Sequence, residues 1–148
     1  MKPTDNYAVS ARRLSPTGEH DDFPTPPWAT RALIEHVIGK EWVRFRVCWE
    51  PAANRGYMSR VLQEYFEYVL ESDIVDYGDG NVVDFLSVED NQNRPVIHWI
   101  ITNPPFNKAQ QFIEKAQSIA TDGVAMLVRT SFLEGIMRYQ TMFMHNAP

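Results

Sequence analysis

One stretch limits the folds open to this chain more than any other. Val96-Ile97-His98-Trp99-Ile100-Ile101 is a β-branched and aromatic run that leads through Thr102 into Asn103-Pro104-Pro105-Phe106. Continuous apolar character, rather than alternation, predicts a strand from Val96 to Thr102 buried on both faces, as a central parallel strand is. His98 inside it is expected to be a satisfied core or edge histidine rather than an acid or base. The two prolines fix φ and end the strand.

The flanking segments repeat a strand–helix rhythm. Downstream, Asn107 is placed to cap a helix whose apolar positions Ala109, Phe112, Ile113, Ala116 and Ala120 face one way. Gly123 opens a further strand over Val124 to Val128, and Ser131-Phe132-Leu133-Glu134 has capping-box spacing for a last helix ending near His145. Upstream, Thr25-Pro26-Pro27-Trp28 reads as a helix start, with Thr25 as cap, Ala29, Leu33 and Val37 as the apolar face, and Gly39 as the stop. Phe45 to Glu50 reads as a strand, Pro51-Ala52-Ala53-Asn54-Arg55-Gly56 as a loop, and Met58, Val61, Leu62, Tyr65 and Phe66 as the stripe of a helix. A second strand, Tyr68 to Ile74, runs into a turn of Asp76, Gly78, Asp79 and Gly80, and a weaker strand or turn follows at Val82 to Leu86. Together these elements predict an α/β fold built on a doubly wound, mostly parallel, Rossmann-like sheet. Ligands of such sheets bind beyond the carboxyl ends of the strands. Glu50 with its loop, Asp73, Asp84 and Asn103 through Phe106 all fall there.

With 148 residues, 44% of them hydrophobic, the chain is expected to form a single domain over 23–148, preceded by a mobile polar arm over 1–22. No apolar run approaches the roughly 20 residues of a membrane span, and the N-terminus lacks a signal-like apolar segment, so a soluble cytoplasmic protein is expected. The single cysteine, Cys48, lies in an apolar run and reads as a buried strand thiol. A net charge of −5 argues mildly against a polyanionic partner, though local patches from Arg12, Arg13, Arg44, Arg46, Lys108, Arg129 and Arg138 are compatible with it. No Cys, His, Asp and Glu spacing suggests a metal, and neither a phosphate loop nor a dinucleotide fingerprint is present.

Asn103-Pro104-Pro105-Phe106 is the most specific feature. An amine attached to a heteroaromatic ring is a poor nucleophile because its lone pair is delocalised. Two acceptors for its N–H groups, the Asn103 side-chain oxygen and the Pro104 carbonyl, would help it become tetrahedral as it reacts. Phe106 would stack on a flipped-out base. Asn-Pro also marks an ordinary stiff turn, but here it follows the most buried strand and precedes an aromatic residue and a helix cap.

The tetrapeptide resembles the catalytic motif of amino-group methyltransferases, and the pattern from Phe23 to about Arg138 is similar to phage-type DNA N6-adenine methyltransferases. That resemblance implies S-adenosylmethionine as cofactor and DNA as partner, with Asn103, Pro104, Pro105 and Phe106 catalytic. It implies that Phe23, Pro24, Thr25 and Pro26 touch the methionine end of the cofactor, although the same residues also suit a plain helix start. Glu50, Pro51, Ala52, Asn54 and Gly56 match the family's cofactor loop, with Asn54 where glycine is usual. Asp73 is implied to accept from the ribose hydroxyls with Ile74 against the adenine, and Asp84 and Phe85 to meet the adenine amine. Both acids also suit turns. Asn103 belongs to the cofactor set as well.

Members of that class usually continue into two more strands, so the sheet is expected to lack its last two. The strand near Val124 would then be an open edge, favouring a homodimer or an aggregation-prone monomer. Beside an active adenine methyltransferase stand a truncated remnant that keeps the fold without turnover, and a methyltransferase of another amine such as cytosine N4 or a protein glutamine.

Overall fold

The computed structural model describes residues 24–78, 81–89 and 94–144. Phe23, the arm over 1–22, Asp79, Gly80 and His145 lie outside the described residues. What is described is a mixed α/β fold, a four-stranded, all-parallel sheet flanked by helices. Its elements are α1 (Pro27–Leu33), α2 (Lys40–Val43), β1 (Val47–Glu50), α3 (Ser59–Leu62), β2 (Tyr68–Glu71), β3 (Trp99–Thr102), α4 (Ala109–Ile119), β4 (Gly123–Met126) and α5 (Ile136–Arg138). The spatial order is β2-β1-β3-β4. Beyond β2, Asp73 forms one isolated parallel bridge with Val82.

β3 is central, as its composition predicts, but it is shorter than the run suggests. It pairs with β1 through Cys48–Trp99 and Trp49–Ile100, and with β4 from Trp99–Gly123 to Thr102–Met126. Ladder pairing begins only at Trp99, and Val96 is exposed. His98 closes the gap: its N–H donates to the Val47 carbonyl while its Nδ1 accepts from the Val47 N–H, both at 3.0 Å. With its backbone N–H and its ring both bonded to Val47, this histidine has a structural task at the start of the strand.

Successive strand residues point to opposite faces of the sheet, and the core divides accordingly. Cys48, Val69 and Ile101 pack with Ile34, Val43, Met58, Leu62 and Phe66. Trp49 and Ile100 pack with Phe85, Ile97, Phe112, Ala116 and Ile119. Each such aliphatic side chain contributes about 1.5–3 kcal/mol by leaving water. The Cys48 thiol is fully buried, and burial first of all pushes its pKa well above the usual value, so it is no thiolate nucleophile.

The helices depart from their expected bounds for identifiable reasons. After α1 the chain widens into a π-helical turn over Ile34–Ile38, closed by the Gly39 N–H on the Ile34 carbonyl at 2.8 Å. The wider turn rotates the apolar stripe, so Ile34 is buried while Val37 of the expected face is exposed. Thr25 does not cap α1; Pro26 occupies that position without a side-chain bond. Asn107 likewise does not cap α4, because a 3₁₀ turn over Phe106–Lys108 runs directly into the helix. Ser131-Phe132-Leu133-Glu134 lies within a 3₁₀ turn, Thr130–Glu134, rather than opening a long helix, and Gly135 separates it from the short α5. None of the described helices is long and apolar enough to cross a membrane.

Candidate functional site

From the adjacent strands β1 and β3 the sheet grows outward in opposite directions, β2 beyond one and β4 beyond the other. Loops leaving two such strands diverge, and a crevice opens past their carboxyl ends. Here it is a cavity of about 300 Å³.

One wall follows from β1. Glu50, its last residue, is 2% exposed and accepts a hydrogen bond from the Ser59 hydroxyl. Burial pushes its carboxyl up to about 8, with Glu71 and Asp73 adding to the rise and Ser59 opposing it, so Glu50 is protonated at neutral pH. Pro51, Ala52 and Asn54 continue the wall. Asn54 has φ 50°, the one positive value at a non-glycine among the described residues. Its N–H donates to Asp73 Oδ2 at 2.8 Å, and the other Asp73 oxygen accepts from the Val75 N–H at 3.0 Å. Asp73 therefore ties the loop after β1 to the loop after β2. A carboxylate oxygen has capacity for a second donor, so this task is compatible with ligand binding.

Gly56 supports the loop from behind. It has φ 73°, its N–H donates to the Ala53 carbonyl at 2.8 Å, and an added Cβ would press on the Arg60 guanidinium at 3.2 Å. Ile74 and Asp84 complete this side of the cavity. The Asp84 carboxylate accepts from the Ser87 hydroxyl at 2.7 Å and the Leu86 N–H at 3.1 Å. Those bonds, Ser87 foremost and aided by Lys108, hold its pKa below the ordinary carboxylate value. Phe85 lines the cavity from the core, edge-on to Trp49 at 5.1 Å and 5.0 Å from Phe112.

The opposite wall follows from β3. The Asn103 amide nitrogen donates to Thr25 Oγ1 at 3.2 Å, and Thr25 is 5% exposed. Anchoring the nitrogen branch of a planar amide also sets the direction of its oxygen branch. Pro105 and Phe106 continue this wall, while Pro104 is buried behind it. The Pro105 carbonyl accepts from the Lys108 N–H at 2.9 Å and so closes the turn that presents Phe106. Arg129, just past β4, lies with its guanidinium 4.1 Å over the Phe106 ring, and both line the cavity.

The cavity thus gathers Pro24, Thr25, Glu50, Pro51, Ala52, Asn54, Asp73, Ile74, Asp84, Phe85, Asn103, Pro105 and Phe106 from the set named by sequence. Pro26, Gly56 and Pro104 stand outside its lining, and Phe23 lies outside the described residues. Sequence reasoning assigned no site role to Tyr57, Tyr77, Lys108 or Arg129, which also line it. The rule that found Asn103, position just past a strand end, also fits Arg129. Tyr57 and Tyr77 carry no comparable signal.

No protein-family model matches the chain, and no curated protein matches it significantly. The cavity has acidic acceptors and an apolar floor on one side, and an anchored amide, an aromatic ring and two cations on the other. Among the described residues, no grouping of His, Cys, Asp and Glu is suited to hold a metal ion.

Proposed function

We propose that this chain is the Rossmann-like, doubly wound core of an S-adenosylmethionine-dependent methyltransferase, acting on the exocyclic amine of adenine in DNA. The observation that carries the proposal is the convergence of the Glu50–Asn54 loop and the Asn103–Phe106 segment on one cavity, where the sheet order reverses.

The residues fit such a cofactor. Asp73 and Asp84 offer carboxylates for hydroxyl and amine donors, and Ile74 and Phe85 offer apolar surface for a purine ring. The left-handed conformation at Asn54 lets the backbone after β1 turn at the cavity wall. A volume of about 300 Å³ is at the lower end of the range for small-molecule sites. When bound, S-adenosylmethionine supplies an electrophilic methyl group on a sulfonium.

The protein's own contribution is positioning and hydrogen bonding. Thr25 holds the Asn103 amide so that its oxygen accepts an N–H of the acceptor amine. This acceptance localises the amine's lone pair. Phe106 offers its ring to the acceptor base, and Lys108 and Arg129 give this side of an acidic protein a local positive character. Those two cations favour a nucleic acid over a protein glutamine as acceptor; cytosine N4 would use the same amide.

A remnant without turnover is the second reading, because Asn54 brings a side chain to the cavity lining where glycine would bring none. β4 has β3 as its one neighbour among the described strands, and its residues are all partly exposed. On this reading a second copy pairs along that edge. Calorimetric titration with S-adenosylmethionine tests the proposal: saturable binding is expected, and no heat at millimolar cofactor would remove both the enzyme and the cofactor-binding remnant.

A further inference from the structure

Among the described residues Arg44 lies over Phe45, Arg60 over Tyr57, Arg138 over Phe132 and Arg129 over Phe106; the last contact is the shortest, and it alone has both partners in the cavity lining. Arg31 pairs with Glu64, Arg46 pairs with Asp122, and Arg138 donates to the carbonyls of Phe132 and Ser131. Arg129 makes no ion pair among the described residues; it is exposed, with its guanidinium carbon 4.1 Å above an aromatic ring. Its backbone is fixed, since its carbonyl accepts from the Phe132 N–H at 2.9 Å, so the side chain can swing while its root stays in place. A guanidinium is planar and delocalised, stacks on aromatic rings as a nucleobase does, and carries five N–H donors suited to phosphate.

We propose that Arg129 holds the acceptor seat on Phe106 until the incoming base displaces it, and then contacts a phosphate beside that base. This rests on the nucleic-acid methyltransferase reading above and adds to it a positioning residue with two successive partners. Base and guanidinium cannot share one face of the ring. Base capture therefore releases a cation at the cavity, where Lys108 already stands and where the nucleotide backbone must follow its base.

The two roles give opposite signatures in one set of proteins: the full chain, Arg129→Ala and Arg129→Lys. With 2-aminopurine riboside, which has a stacking base but no phosphate, Arg129→Ala is expected to bind about two- to five-fold more tightly, because a competing cation–π contact is gone. With a single-stranded oligodeoxynucleotide carrying one 2-aminopurine, the same variant should lose about 0.7 from the slope of log affinity against log salt, one phosphate contact's worth. Arg129→Lys should gain riboside affinity while keeping the slope, and it carries the test if Arg129→Ala does not fold. A merely structural Arg129 would move neither quantity in this pattern. Unchanged or weaker riboside binding in both variants, absence of riboside binding in all three proteins, or an unchanged slope in Arg129→Ala overturns the proposal. If the signatures occur but wild-type protein moves no methyl to DNA, the seat stands and the methyltransferase reading fails by itself.

Discussion

The amide nitrogen of Asn103 donates to the hydroxyl of Thr25 across 3.2 Å, joining the segment ahead of α1 to the carboxyl end of the central strand β3. Loss of this bond should weaken the hold on the amide's orientation. Thr25→Val is expected to reduce methyl transfer about tenfold, the equivalent of one ordinary hydrogen bond, while cofactor affinity changes little. Thr25→Ser keeps the hydroxyl and should restore most of the rate. Steady-state kinetics on the two variants decide it, and equal impairment in both would mean that packing, not the hydrogen bond, explains Thr25.

Glu50 gives the protein a pH-dependent stability. Its pKa is raised from 4.5 to about 8 by burial, so the native state holds the proton more tightly than the unfolded chain does. The resulting stabilisation is complete below 4.5 and is lost as pH rises through about 8. Glu50→Gln cannot ionise. Thermal melts of the two proteins should show the variant gaining on wild type as pH rises from 4.5 to about 8. A constant difference in Tm across that interval would contradict the assignment.

Gly123 faces Trp99 across the β3–β4 ladder, and a Cβ added there would lie 2.4 Å from the indole ring. Removing a glycine from a compatible strand position normally stabilises, by restricting the unfolded chain. Here the clash reverses the sign, and Gly123→Ala should lose about 1–3 kcal/mol in denaturant unfolding. Unchanged stability would show that the ring moves aside without penalty.

Asn54 sits at φ 50° with its N–H on Asp73. Asn54→Gly retains that backbone bond, relieves the left-handed conformation and removes a side chain from the cavity lining. Tighter S-adenosylmethionine binding is the expected calorimetric result. Weaker binding would mean that the Asn54 side chain contributes to the ligand contact.

Much of the architecture was legible because burial leaves a mark on composition. The central strand announced itself as an uninterrupted apolar run, and the positions Met58, Val61, Leu62 and Phe66 are buried at the spacing that pointed to them. Element ends were less legible, for local reasons. Val96 is apolar yet exposed, since strand pairing stops where His98 supplies a side-chain acceptor. The π-helical turn over Ile34–Ile38 shifts a stripe that regular helical spacing assigns to Val37. Thr25 has the chemistry of a cap but spends its hydroxyl on a residue 78 positions away, which no local pattern reveals. Arg129 shows the same limit: sequence marked it only as one of several cations, and its position over Phe106 depends on the β3–β4 pairing.

The proposed role of Asn103 is to activate an adenine amine for methyl transfer. Its most direct test incubates wild type and Asn103→Ala with labelled S-adenosylmethionine and unmethylated DNA, followed by nucleoside analysis. Label is expected in N6-methyladenine for wild type, and its loss in Asn103→Ala with nearly unchanged cofactor affinity. Comparable label from Asn103→Ala, or none from a wild-type protein that binds the cofactor, would contradict it.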